Sequence, residues 1–213
     1  MEKENVTPAL VNYIESEIIP RYEAFDKAHN LNHVQTVINE SLSLAGYYPV
    51  RSDMVYAIAA YHDTGLVEGR EFHHLVSGKI IEADSLLRTW FSEEDIKLMK
   101  EAVEDHRASA KQEPRSIYGK IVAEADRIID PVVTLRRTVQ YGLKHNPDEN
   151  KDWQYTRFKK HLTEKYAEGG YLTLWIPFSG NAERLERLRE IIKNEKELKS
   201  AFEGLYNDEM RIL

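Results

Sequence analysis

A histidine and an aspartate stand side by side near the first third of the chain, as His62 and Asp63 at the end of an apolar run. Apolar residues precede His62 by three, four and seven positions, which are the intervals of one helical face. We therefore predict that His62 lies on the buried face of a helix that Ser52 opens and Gly65 closes. A buried imidazole and carboxylate are costly to desolvate, and a divalent metal ion neutralises such a pair best.

A metal site is not the only interpretation of this pair. An isolated His-Asp pair is more often a core histidine hydrogen-bonded to its neighbour, and such structural pairs also have shifted pKa values. The metal interpretation therefore requires that other parts of the chain supply further ligands.

Four more residues occupy inward positions on predicted helices. His33 begins the helix predicted for Val34–Ala45, on its apolar face, and Asp126 lies between apolar neighbours on a later helix. His73 lies on the apolar side of the helix after Gly69, and His106 ends the apolar stripe of the helix that follows it. If His33, His62, Asp63 and Asp126 did not meet at one site, their buried polar groups would be left unpaired.

Composition limits which metal such a site can hold. The 213-residue chain contains no cysteine, which excludes disulfides, thiolate nucleophiles and cysteine-ligated metals. Any ion must therefore be held by histidine and carboxylate ligands, which favours Mn, Fe, Mg, Ni or Zn. The formal charge of -7 argues against broad nucleic-acid binding, although it allows a local basic pocket.

The elements that position these residues are helices throughout. A capping box at Ser92–Asp95 opens the helix that His106 ends, and Asp130-Pro131 stops the helix that carries Asp126. The segment Tyr171–Pro177 is compatible with a short extended piece or a helical turn. Asn181 is predicted to cap one last helix that runs to about Leu205. The pattern predicts one all-α domain over residues 1–213.

The order of the inward residues is similar to that of the HD superfamily of metal-dependent phosphohydrolases. The resemblance is carried by Asn32-His33-Val34-Gln35-Thr36-Val37, by His62-Asp63-Thr64-Gly65 and by Ala123-Glu124-Ala125-Asp126-Arg127-Ile128. It covers about residues 25–130, an HD-domain-like helical bundle, and leaves residues 131–213 as a mostly helical C-terminal extension. The resemblance implies one or two divalent metals that activate water against a phosphoester.

The resemblance also implies a second group of ligands. In members with additional histidines, a second metal is held by a histidine on each of the two helices after the His-Asp turn, and His73 and His106 match these positions. His74 stands where many relatives carry an acidic residue, so the facing histidine is either His73 or His74, and the apolar stripe favours His73. Asp63 is the natural carboxylate to bridge the two ions.

Fewer signals indicate the remaining catalytic groups. No general acid is evident, and Glu68 is a candidate because it follows the His-Asp turn closely. Phosphate oxygens need positive charge, for which Lys79, Arg107, Arg127 and Arg136 are available.

The sequence thus predicts an enzyme, a metal-dependent phosphohydrolase that acts on a nucleotide or a related small phosphoester. A cyclic-nucleotide-type phosphodiesterase, a nucleotide sensor of the same fold without activity, and a helical protein with core histidines are the alternatives. A guanosine-tetraphosphate hydrolase fits less well, because that branch carries an acidic pair where this chain has Leu66-Val67. No membrane span and no secretory signal is found, so we expect a cytoplasmic protein, with a homo-oligomer left open.

Overall fold

The computed structural model of the chain describes residues 5–26, 29–107, 112–127, 129–177 and 179–211. Within these ranges the regular structure is helical and no strand occurs, so the predicted all-α class is confirmed. The α-helices are α1 (Pro8–Glu17), α2 (Leu31–Ala45), α3 (Ser52–Tyr61), α4 (His73–Ala83), α5 (Glu93–Glu104), α6 (Ile117–Asp126), α7 (Pro131–His145), α8 (Lys151–Tyr166), α9 (Gly180–Lys193) and α10 (Glu195–Met210). Short 3₁₀ helices occupy Ile19–Ala24, Thr64–Glu68 and Ser85–Thr89.

The chain divides into two compact units. The first unit comprises the described parts of Met1–Arg127 together with Trp175–Ser179, and the second comprises the described parts of Ile128–Leu174 and Gly180–Leu213. The division after Arg127 lies close to residue 130, where the sequence predicts the end of the core. The description of residues 1–213 as a single domain stays a prediction.

Helix α3 is the centre of the first unit. Every residue of α3 except Asp53 is buried, because the helix is apolar on almost all of its faces. Helices α2, α5 and α6 pack against it, and α4 packs against α5. Apolar burial of this extent is the main driving force for the unit, and it fixes the ends of α3 in place.

Side-chain caps define where several helices begin. Asn30 accepts a hydrogen bond from the backbone N–H of His33, so α2 begins at Leu31, three residues before the predicted start. The capping box predicted at Ser92–Asp95 is confirmed, with both reciprocal hydrogen bonds present. These caps satisfy backbone N–H groups that a helix cannot pair internally, and they fix the orientation of the first turns.

The predicted roles of two residues that flank helices in the first unit were wrong. The pair Thr7-Pro8 predicts a capping residue followed by proline at the first helical position. The side chain of Thr7 does not cap α1, since its hydroxyl and its backbone N–H both donate to the carboxylate of Asp53. Helix α3 ends at Tyr61, before the glycine that was expected to close it. Gly65 instead lies within the 3₁₀ helix and touches α4, where an added Cβ would lie 2.1 Å from the carbonyl oxygen of His73.

A short segment from late in the sequence belongs to the first unit. Residues 175–177 and 179, which we call the strap, are anchored on the buried carboxylate of Glu124. The backbone N–H of Trp175 donates to Glu124 Oε2 at 2.8 Å, and the hydroxyl of Ser179 donates to Glu124 Oε1 at 2.5 Å. The segment Tyr171–Pro177 forms neither a strand nor a helical turn.

The second unit consists of α7–α10 around its own apolar cluster. Phe158 and Phe202 are fully buried at its centre, with ring centroids 5.2 Å apart. The single last helix predicted from Asn181 was wrong, because the side chain of Asn194 caps a new helix and so separates α9 from α10. Asn181 lies inside α9 and accepts a hydrogen bond from the backbone N–H of Ile129. None of the helices in the described ranges has the length and apolar character that a bilayer crossing requires.

Candidate metal centre

Six predicted ligands lie at helix ends of the first unit. His33 is in the first turn of α2, His73 begins α4, and Asp126 is the last residue of α6. His62 and Asp63 directly follow α3, and His106 follows α5 by two residues. Because helix ends rather than helix middles meet here, side chains from five helices reach one another without the backbones crowding.

Four of these side chains form the first donor set. His33 Nε2 lies 3.2 Å from His62 Nε2, 3.4 Å from Asp63 Oδ2 and 3.3 Å from Asp126 Oδ1. His62 Nε2 lies 3.2 Å from Asp63 Oδ2 and 3.8 Å from Asp126 Oδ1. Two imidazole nitrogens and two carboxylate oxygens thus surround one point.

Three side chains form the second donor set. His73 Nε2 lies 3.2 Å from His106 Nε2 and 3.4 Å from Asp63 Oδ1, and His106 Nε2 lies 3.3 Å from the same oxygen. Asp63 therefore gives one carboxylate oxygen to each set. If each set held a cation, the carboxylate of Asp63 would bridge the two.

The spacing of the donor atoms fits divalent metal ions. Ligands that lie about 2.0–2.2 Å from a common ion are separated from one another by roughly 3.0–3.6 Å in tetrahedral or octahedral geometry. The separations of His33 from the other three donors, of His62 from Asp63, and of the three donors of the second set fall in this interval, whereas that of His62 from Asp126, 3.8 Å, is slightly larger. Neutral imidazoles and carboxylates are donors that suit Mn, Fe, Ni or Zn. The residues present therefore fit the predicted metal group.

Three of the histidines are held in the orientation that a metal ligand needs. The Nδ1 atoms of His62, His73 and His106 each bond the backbone carbonyl oxygen three residues earlier, at 2.7, 2.8 and 2.6 Å. A carbonyl only accepts, so Nδ1 carries a proton in each ring, and Nε2 is the nitrogen that can bind a metal ion when the ring is neutral. Such outer partners fix the tautomer and the ring direction of metal-binding histidines.

The electrostatic balance of the centre also favours a bound cation. Burial opposes ionisation of Asp63, but the charge of His62 and hydrogen bonds from His106 and His33 hold its pKa well below the ordinary value. Burial likewise opposes protonation of His33, yet its hydrogen bonds to Asp126 and Asp63 raise its pKa to about 9. The carboxylates are thus compensated by a proton that a divalent ion would displace on binding.

The pKa of His73 is shifted in the opposite direction from that of His33. Burial, followed by the charge of His106, lowers the pKa of His73 to about 4. The ring is therefore neutral at physiological pH, which is the form that coordinates metals.

The buried side chain of Tyr22 forms hydrogen bonds with the backbone around His62 and Asp63. Tyr22 is fully buried, and its hydroxyl donates to the carbonyl of Ala60 at 2.9 Å and accepts from the backbone N–H of Asp63 at 3.2 Å. Its ring lies 6.2 Å from that of His62. Tyr22 thus positions the backbone that carries the carboxylate shared by the two donor sets, a role for which the sequence alone gave no signal.

The structure distinguishes between the two adjacent histidines on α4. His73 joins the second donor set, as its helical stripe indicates, whereas His74 turns away. The Nδ1 atom of His74 is buried and has no hydrogen-bond partner among the described residues.

His29 is a further neighbour of the centre, although the helical patterns of the sequence do not include it. Its ring lies 5.7 Å from that of His33, its Nδ1 lies 2.8 Å from Asp26 Oδ1, and its Nε2 lies 3.2 Å from Arg70 Nη2. The interval of four residues between His29 and His33 is the one signal in the sequence that could have linked them.

The other predicted site residues are more scattered. Arg107 donates to the carbonyl of Glu71, in the loop before His73, and Arg127 is buried with its guanidinium 5.5 Å from the ring of Trp175. Glu68 and Lys79 are exposed. Arg136 belongs to the second unit, where it pairs with Glu209 at 2.6 Å. Their roles in binding and catalysis stay predictions.

Comparison with known proteins agrees with this geometry. Residues 30–129 match the family model described as HD domain. No curated protein and no solved structure matches the chain significantly. The matched segment contains every member of both donor sets.

Proposed function

We propose that this protein hydrolyses a nucleotide or a related small phosphoester, because residues 30–129 match the HD domain family model and that family consists of metal-dependent phosphohydrolases. The observation that carries the proposal is the carboxylate of Asp63, whose two oxygens lie in two different donor sets. A core histidine is satisfied by one hydrogen-bond partner. A purely structural role therefore does not explain why the six side chains of the two donor sets converge. The alternative of a purely structural cluster is therefore the weaker one.

The residues of the two donor sets have the following proposed roles. His33, His62, Asp63 and Asp126 would hold one divalent ion, and Asp63, His73 and His106 would hold a second. Ions held there supply acidity to water and positive charge to the phosphoryl oxygens. Hydrogen bonds to backbone carbonyls keep the imidazoles pointing inward before substrate arrives, so no reorganisation is needed during the reaction.

A proton must reach the leaving oxygen when the ester bond breaks, and His29 is the best-placed donor. Asp26 Oδ1 lies 2.8 Å from its Nδ1 and holds the ring in one orientation, as a carboxylate does in other histidine dyads. The ring is only partly exposed and lies beside His33, at the edge of the first donor set. By contrast, Glu68, the donor predicted from the sequence, is exposed.

The dependence on the leaving group tests this assignment. His29→Asn should slow hydrolysis of an alkyl phosphate about 100-fold, because an alkoxide leaves poorly without a proton. Hydrolysis of 4-nitrophenyl phosphate should change less than about threefold, because its phenolate leaves unaided. Both rates are measured at saturating metal. Glu68→Gln is the matched control and should leave both rates unchanged; if it alone shows the split, Glu68 is the donor.

The proposed reaction is direct attack by water, and isotope transfer tests it. The chain has no cysteine, and it lacks the Gly-x-Ser-x-Gly elbow of covalent hydrolases. In heavy-oxygen water, with enzyme in excess over substrate, the first turnover should place solvent oxygen on the released phosphate. A phosphoryl-enzyme that can be trapped, or unlabelled phosphate in that turnover, would mean that a side chain attacks first.

The same assays distinguish two other possible functions from the proposed one. A cyclic-nucleotide-type phosphodiesterase would open cyclic diesters and leave monoesters intact. A nucleotide sensor would bind without turnover, but the completeness of both donor sets favours an enzyme, since a sensor has no need of two bound ions.

A further inference from the structure

The loop before α4 contains an arginine that contacts the surroundings of both donor sets. The backbone carbonyl of Arg70 accepts the Nδ1–H of His73, a ligand of the second set, at 2.8 Å. The guanidinium of the same residue donates through Nη2 to Nε2 of His29 at 3.2 Å. The ring of His29 meets that of His33, a ligand of the first set, edge to face with centroids 5.7 Å apart. Arg70 therefore joins the edges of the two sets, by its backbone at one and its side chain at the other.

The guanidinium of Arg70 is available to a ligand. Its side chain is 69% exposed, and Asp26 Oδ2 lies 3.9 Å from Nη1, beyond hydrogen-bond distance. Exposed ion pairs of this kind are weak. Among the described residues the guanidinium forms one hydrogen bond, the one to His29, so most of its five N–H donors are unused. An arriving anion can replace these contacts.

A phosphoryl group is an anion that suits this side chain. Charge in the transition state of phosphoryl transfer is spread over three equatorial oxygens. The planar fork of a guanidinium binds two such oxygens at once, which a lysine cannot do. A guanidinium beside the donor sets would thus add directed positive charge to that of the cations held there.

Three of the cations predicted from the sequence are less well placed for this task. Arg136 belongs to the second unit, and the guanidinium of Arg127 lies against the ring of Trp175. Arg107 donates to a backbone carbonyl in the loop that contains Arg70. Arg107 therefore supports the loop, whereas Arg70 places its guanidinium beside His29.

We propose that Arg70 binds the phosphoryl oxygens of the substrate. The inference rests on the proposed function, which places the phosphoryl group at the donor sets. The hydrogen bond from Arg70 to His29 breaks when the guanidinium turns to the phosphoryl group. A nitrogen that accepts this bond carries no proton, so its release also allows Nε2 of His29 to hold the proton proposed for the leaving oxygen.

Replacing the side chain of Arg70 tests the inference, because the carbonyl that holds His73 belongs to the backbone and stays in every variant. In the metal-loaded full chain, Arg70→Ala should lower kcat/KM for 4-nitrophenyl phosphate about 100-fold, the loss expected for two hydrogen bonds to a charged group. The leaving group of this substrate needs no proton, so a displaced His29 does not account for the loss. Arg70→Lys keeps the charge without the fork and should lose about tenfold.

Chemical rescue and metal content distinguish binding from a structural role. Guanidinium chloride, far below denaturing concentrations, should raise the activity of Arg70→Ala and leave that of wild type unchanged. Arg187→Ala is the matched control, because Arg187 is 67% exposed and paired with Glu183 in α9, and it should keep the wild-type kcat/KM. Elemental analysis should give the wild-type metal content in all variants. Loss of metal from Arg70→Ala, or an unchanged kcat/KM, would overturn the inference.

Binding of inorganic phosphate separates the inference from the function. Calorimetry on the metal-loaded protein should show an affinity for inorganic phosphate about tenfold weaker in Arg70→Ala than in wild type or Arg187→Ala. Equal affinities would refute the role of Arg70, whether or not the protein is an enzyme. If wild-type protein hydrolyses no phosphoester but the affinities differ, the proposed function fails and the assignment of Arg70 stands.

Discussion

Replacing Asp63 by asparagine is expected to release both metal ions and to lower phosphoester hydrolysis by at least about 10³-fold. The carboxylate contributes one oxygen to each donor set, and an amide offers neither the charge nor two equivalent oxygens. Loss of charge stabilisation worth several kcal/mol in the transition state corresponds to a decrease of this size. Elemental analysis of the purified protein and kcat for the best substrate measure the two effects.

His106→Ala is the comparison that separates the donor sets. His106 belongs to the second set alone, so its loss should lower the metal content by about one ion per chain and leave the first set filled. Circular dichroism should show unchanged helical content in both variants. If Asp63→Asn retains two ions, Asp63 does not bridge; if His106→Ala retains the full complement of two ions, the second set does not hold its ion.

A large loss of stability is expected from Gly65→Ala. An added Cβ would lie 2.1 Å from the carbonyl oxygen of His73, 2.5 Å from the backbone nitrogen of Ser77 and 2.8 Å from Val76 Cβ. Two of these atoms are backbone, so α4 would have to move away from the 3₁₀ helix at a cost of about 3 kcal/mol or more. The hydrogen bond from the N–H of Gly65 to Ser77 Oγ would be lost as well.

Chemical denaturation measures the free energy of unfolding of this variant. Gly204→Ala is the matched control, because no atom lies within 4 Å of its added Cβ in α10, and it should stabilise the protein by about 0.5–1 kcal/mol. A Gly65→Ala protein as stable as wild type would show that α4 does not pack this closely. Since α4 begins with His73, the variant should also weaken metal binding at the second donor set.

The donor sets could be predicted from sequence because the ligands lie at the ends of amphipathic helices. An apolar stripe that ends in a histidine, as at His62 and His106, indicates both which face of the helix is buried and where the helix ends. The choice of His73 over His74 follows from the same stripe. Local periodicity therefore indicated which side chains point inward, whereas their grouping into two donor sets was implied by the resemblance to the HD superfamily.

Other features depend on contacts that periodicity does not report. The role of Gly65 is set by the approach of α4, and the position of His29 is set by Asp26 and Arg70. The break at Asn194 rests on one capping hydrogen bond inside an otherwise continuous amphipathic pattern. In each instance a partner that the pattern does not identify decides the outcome.

The strap has a consequence for how this protein can be divided or rearranged. A fragment that stops at Arg127 would contain every proposed metal ligand and still lack two groups that donate to the fully buried carboxylate of Glu124, two residues before Asp126. A buried polar group that loses its hydrogen-bond donors destabilises the fold by its desolvation free energy. The first unit is therefore discontinuous in the sequence, and a fragment of residues 1–130 would be an incomplete module.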